Sequence, residues 1–128
     1  MTKAQDTITK QANCQKFDLE ERTLEFAKQV INFLNKLPRS TVNLELTSQI
    51  IRSAGSVGAN YREANDSLGN KDFLLRLKIS RKEAKETYYW LQLILHCNPE
   101  LKETIDPLLD ECSQLIKILS AIINKIQN

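Results

Sequence analysis

His96 is the one histidine of this 128-residue chain, and it stands beside Cys97, one of three cysteines with Cys14 and Cys112. These are the residue types that bind metals or attack substrates, so their spacing decides what they can do. A diiron site in a helical bundle needs inward-facing Glu-x-x-His pairs, but the residue three before His96 is Leu93. Helix neighbours point about 100° apart, so His96 and Cys97 do not converge on one ligand. The cysteines are odd in number and lack C-x-x-C spacing. That argues against a zinc site and against a disulfide framework, and it fits a reducing cytoplasm. Gly55, Gly58 and Gly69 follow no predicted strand, so neither a P-loop nor a dinucleotide fingerprint is formed. The expectation is a protein that is not an enzyme and holds no cofactor or metal.

The polar chemistry that remains is that of binding. Lys78, Arg81, Lys82 and Lys85 fall within about 100° of arc on one helix, a basic stripe suited to phosphates. The plainer reading is a solvated face, helped by pairing with Glu83 and Glu86. Repeating the stripe around an oligomer would multiply weak contacts through effective concentration. A second polar row, Gln49, Arg52, Ser56, Asn60 and Glu63, is spaced three, four, four and three. It reads as a subunit interface ahead of a ligand site, with a solvated face as the alternative. Tyr61-Arg62 and Tyr88-Tyr89-Trp90 offer aromatic rings for stacking on unpaired bases. Tyr61 and Tyr88 fall on inward stripes, which leaves Tyr89 and Trp90.

Helices must position these groups. Three Gly and three Pro are too few for the many turns of a sandwich or barrel. Residues 1–16 have almost no large apolar side chains and read as a mobile tail, with the folded domain over 17–128. Leu19, Thr23, Phe26, Val30 and Leu37 recur at helical spacing, and Pro38 closes that first helix. Ser40 or Thr41 caps a second helix with Leu46, Ile50, Ala54, Val57, Tyr61 and Ala64 inward, running to about Asp66. Gly55 and Gly58 lie inside it, each costing about 1 kcal/mol relative to alanine, which points to close approach of a neighbouring helix, with local flexibility as the alternative. Asp72 opens a third helix with Phe73, Leu77, Ser80, Ala84, Tyr88, Leu91 and Leu95 on one face, ending before Asn98-Pro99. Asp106-Pro107 reads as an N-cap and first residue of a fourth. The fold predicted is an all-α, antiparallel up-down-up-down four-helix bundle.

The fourth helix carries more apolar surface than one seam needs. Ile105, Cys112, Leu119 and Ile126 repeat in sevens, with Leu108, Leu115 and Ile122 between them. A further row, Leu109, Ile116 and Ile123, widens the face, either against two neighbours in the subunit or against a second subunit. Leu75, Ile79 and Trp90 lie off the inward stripe of the third helix and would be wet in a monomer. Self-association is expected. Lys+Arg 18 against Asp+Glu 16 gives only +2, so bulk charge demands no nucleic acid. No run reaches the roughly 18 apolar residues of a membrane span, so no membrane partner is expected.

The run from Gln49 to Ala64, with Ser53-Ala54-Gly55-Ser56-Val57-Gly58-Ala59 at its centre, resembles the 23S rRNA intervening-sequence protein family. The similarity continues through Lys71-Asp72-Phe73, Ile79 to Thr87 and Tyr89-Trp90-Leu91 into the last helix, over roughly residues 20–126. Val57-Gly58 stands where other branches of the family carry proline, which marks a subgroup. The resemblance implies a small cytoplasmic bacterial bundle that assembles as a ring-like homopentamer. It implies RNA or DNA as a partner, and a related bundle serves as accessory subunit beside a reverse transcriptase. A scaffold for such a polymerase, without nucleic-acid binding of its own, is the alternative function. The family pattern has no catalytic residues to carry over.

Overall fold

A computed structural model describes residues 5–128, with side chains from Leu19 onward. The expected tail over residues 1–16 lies outside the residues whose side chains are described. Four helices follow one another: α1 (Gln5–Asn35), α2 (Thr41–Asn65), α3 (Asn70–Cys97) and α4 (Lys102–Gln127), with a 3-10 turn at Pro99–Leu101 before the last. No strand occurs among the described residues. The short connections reverse the chain each time, giving the antiparallel up-down-up-down bundle that the apolar periodicity predicts. Each helix packs on two neighbours: α2 and α4 both touch α1 and α3, and among the described residues the backbones of the diagonal pairs stay apart.

The inward stripes form one core. Phe26 and Val30 of α1, Ile50 and Val57 of α2, Leu77 and Leu91 of α3, and Ile105, Leu115 and Leu119 of α4 are almost wholly buried. The α2–α3 pair is the most extensive, because small residues line it. The Ser80 hydroxyl donates to the Val57 carbonyl at 2.7 Å, and the Thr87 and Ser53 hydroxyls meet at 2.8 Å. Such bonds require the backbones to lie close and satisfy hydroxyls that burial would otherwise leave unpaired. α1 and α4 are joined more sparsely, and there Arg22 holds Glu111 in a bidentate pair at 2.7 and 2.8 Å.

The helix ends are set by local chemistry. Ser40 caps α2, its extended backbone letting the side chain accept from the Asn43 amide at 3.0 Å. Asp66 is the C-terminal boundary residue of α2, as expected. The start of α4 differs from the sequence expectation. Asn98-Pro99, not Asp106-Pro107, opens the last helical segment, and the 3-10 turn feeds directly into α4 at Lys102. Pro107 therefore sits inside the helix, and Asp106 bonds Lys102 one turn back instead of capping. Proline near a helix start removes few hydrogen bonds, which is why both Xaa-Pro pairs satisfy the same signal.

The two interior glycines separate. A Cβ on Gly58 would lie 2.9 Å from Thr23 Oγ1 and 3.2 Å from Thr23 Cβ, so the close approach expected of the small-residue tract is real there, against α1. A Cβ on Gly55 would meet nothing within 4 Å, so no helix of the subunit explains that glycine.

Candidate nucleic-acid interface on α3

The outer face of α3 is a row spaced three and four residues apart: Leu75, Lys78, Lys82, Lys85, Tyr89. All but Lys78, which is half-buried, are exposed. Lys78, Arg81, Lys82 and Lys85 come together, as the wheel predicts, and line one open groove of about 580 Å³ with Glu86, Tyr89 and Trp90. Arg81 is tethered towards α4, its Nη1 3.3 Å from Ser120 Oγ.

The two glutamates beside this stripe are engaged by α2, although Glu86 also lines the groove. Glu83 is buried at 8% exposure, and its carboxylate accepts from Arg52 Nη1 at 3.1 Å. Glu86 accepts from Arg52 Nη2, also at 3.1 Å. One guanidinium fork on α2 thus spans two carboxylates one turn apart on α3, a geometry that lysine could not supply. The bonds from Glu86 and the charge of Glu83 raise the Arg52 pKa above its ordinary value. Among the described residues no carboxylate lies within 4.0 Å of Lys78, Lys82 or Lys85. These three lysines therefore lack an ion-pair partner among the described residues, while Glu86, held by Arg52, is a carboxylate in the same groove.

The aromatic pair closes the groove. Tyr89 and Trp90 meet edge to face, ring centroids 5.4 Å apart and planes at 69°. Tyr89 keeps 56% of its surface open, while Trp90 is half-buried with its indole N–H lacking an acceptor among the described residues. Sequence reasoning treated the lysines and the aromatics as separate features. The three-four spacing from Lys82 through Lys85 to Tyr89 already joins them.

The residues singled out as interface candidates are distributed differently. On α2, Arg52 is engaged by Glu83 and Glu86, Ser56 donates to the Arg52 carbonyl, and Asn60 accepts from Arg76 at 3.4 Å. The middle of that row is therefore an α2–α3 seam within the subunit, while Gln49 and Glu63 at its ends are exposed. On α4, Ile123 is only 1% exposed and belongs to the subunit's own core, whereas Leu109 and Ile116 are half-buried. A straight helix turns once per 3.6 residues, so the buried positions drift from the heptad: Leu119 is followed by Ile123 and not by Ile122. On α3, Leu75 is 55% exposed, and Ile79 and Trp90 are half-buried.

No group of three or more His, Cys, Asp or Glu side chains is placed to hold a metal among the described residues. His96 and Cys97 are exposed at the end of α3. Cys112 is buried and donates to the Ala84 carbonyl at 3.1 Å; burial, with Glu111 nearby, pushes its thiol pKa up to about 12. That thiol is a core residue, as its heptad position indicates. No helix among the described residues is long and apolar enough to cross a membrane.

Fold and surface together define a small antiparallel four-helix-bundle protein with a mainly apolar core and a cluster of four basic residues along α3. The family model described as 23S rRNA-intervening sequence protein matches residues 15–121, and the chain belongs to that family. Among solved structures it is similar to a protein of unknown function of the S23 ribosomal protein family from Bacteroides thetaiotaomicron. The two are 32% identical, with a TM-score of 0.73, over 82% of this chain and 97% of the other. No curated protein matches the chain.

Proposed function

We propose that the protein is a non-catalytic, cytoplasmic homo-oligomer, a pentameric ring as the family resemblance implies, that binds RNA or other nucleic acid through the outer face of α3. The observation that carries this reading is the capture of Glu83 and Glu86 by Arg52, which leaves the lysines of that face open to phosphate. Ring assembly would repeat the face and sum contacts that are individually weak. Binding of nuclease-treated protein to ribosomal RNA fragments and matched duplex DNA across a salt series tests it. Binding should weaken steeply with salt, and Lys82→Glu with Lys85→Glu should abolish it while the assembly persists. Unchanged affinity in that variant would refute the reading.

A second reading draws on Leu75, which keeps more than half of its surface exposed. An apolar residue at the end of the basic row suits a protein contact, with a second copy or with a polymerase or reverse transcriptase for which the bundle is an accessory subunit. Loss of a co-purifying protein in Leu75→Asp, with nucleic-acid binding intact, supports it.

A further inference from the structure

The basic row on α3 does not end in another charge. It ends in Tyr89, one turn beyond Lys85, with its ring open and set against Trp90. From Lys78 to Tyr89 the helix rises about 16 Å, the length of a few nucleotides of an extended strand. Resting on the nucleic-acid reading above, we propose that this face takes single-stranded nucleic acid, with the phosphates along Lys78, Lys82 and Lys85 and an unpaired base stacked on Tyr89.

Three observations support this. The edge-to-face contact with Trp90 restrains the phenol without covering it, so little ordering is required when a base arrives. Lysines tracking a backbone beside an aromatic platform are the arrangement that favours unpaired strands, because every base has a π face and a duplex hides it. The lysines and the ring also line one groove and not two separate surfaces, so a single strand can contact both. Stacking is indifferent to the sugar, and RNA and DNA strands therefore share this chemistry.

Trp90 is the only tryptophan of the chain, so its fluorescence reports on this groove alone. The full-length protein is titrated with a 12-nucleotide oligouridylate, a 12-nucleotide oligothymidylate, and a 12-base-pair duplex, following fluorescence and anisotropy. Both single strands should quench Trp90 and bind more tightly than the duplex. Tyr89→Ala should weaken single-strand binding about tenfold and leave duplex binding and the salt slope unchanged, with Tyr89→Phe restoring affinity. Tyr89 is exposed, and unchanged helicity by circular dichroism checks that the variants fold. Preference for one sugar would identify the natural strand without altering the stacking role. Equal binding of strand and duplex, or indifference to Tyr89→Ala, overturns the single-strand assignment and leaves the basic-face reading standing. Binding of none of the three at low salt overturns both.

Discussion

Asn43 and Asn98 face each other as a reciprocal amide pair, Asn43 Nδ2 donating to Asn98 Oδ1 at 3.1 Å and Asn98 Nδ2 to Asn43 Oδ1 at 2.9 Å. Each amide uses its second hydrogen on a backbone carbonyl, Asn43 on Pro38 and Asn98 on Ile94. Both residues are about 5% exposed, so one end of the bundle is tied by a dry and fully satisfied polar link between the first turn of α2 and the α3–α4 connection. Replacing either asparagine by alanine strands a buried amide and should cost about 2 kcal/mol. Denaturant unfolding of the two single variants and the double should give a coupling energy well above zero, since the second substitution removes a group already unpaired.

The two interior glycines of α2 should respond oppositely to alanine. Gly55→Ala places a methyl in open space and should stabilise by up to about 1 kcal/mol, unless assembly brings a second subunit against it. Gly58→Ala drives a methyl into Thr23 and should destabilise by about 1–3 kcal/mol, partly relieved when Thr23→Ala is added. Thermal melts of the three variants, with sedimentation to record the oligomeric state, check both signs.

The buried thiol predicts a particular alkaline behaviour. Cys112 is raised from 9.0 to about 12, and burial also lifts the Tyr61 phenol above 10.0, with Glu20 adding to it. Both groups lose their protons more readily in the unfolded chain. The contribution of Cys112 is complete below pH 9 and falls as pH rises from 9 towards 12, by up to about 1.4 kcal/mol per pH unit, and that of Tyr61 begins to fall only above pH 10. Cys112→Ala should lower stability overall yet flatten the decline between pH 9 and 10. In a Cys14→Ser background, Cys97 should react with a thiol reagent at once and Cys112 only on unfolding.

Charge on the proposed binding face is set in part by Arg52 of α2. Releasing Glu83 and Glu86 by Arg52→Gln should weaken nucleic-acid binding several-fold without touching a lysine, because free carboxylates then oppose the phosphates. Glu86→Gln should strengthen it. Affinities of both variants for one oligonucleotide at low and high salt decide the matter, and the difference should shrink as salt rises.

The helices and most of their inward stripes were legible because apolar spacing is a local pattern. What stayed hidden depends on partners distant in sequence. Gly55 and Gly58 are alike as letters, and only the position of Thr23 on another helix distinguishes them. Glu83 looks like a surface residue one position beyond Lys82; its burial follows from the reach of Arg52, 31 residues earlier. The start of α4 was ambiguous because two Xaa-Pro pairs carry the same signal and only one is at the boundary. The basic stripe was plain on the wheel, whereas the engagement of its neighbouring glutamates by Arg52 and its junction with Tyr89 emerge from how α2 and α3 pack.

The Arg22–Glu111 pair closes α1 onto α4 across 89 residues of chain, whereas α2 and α3 meet through a connection of only residues 66–69. Search time grows with the length of chain that must be gathered, which favours early formation of the hairpin and late engagement of the outer pair. A contact absent from the transition state governs escape from the native state and not arrival. Glu111→Gln should therefore quicken unfolding and leave the refolding rate nearly untouched, which makes this link a determinant of how long the native bundle persists.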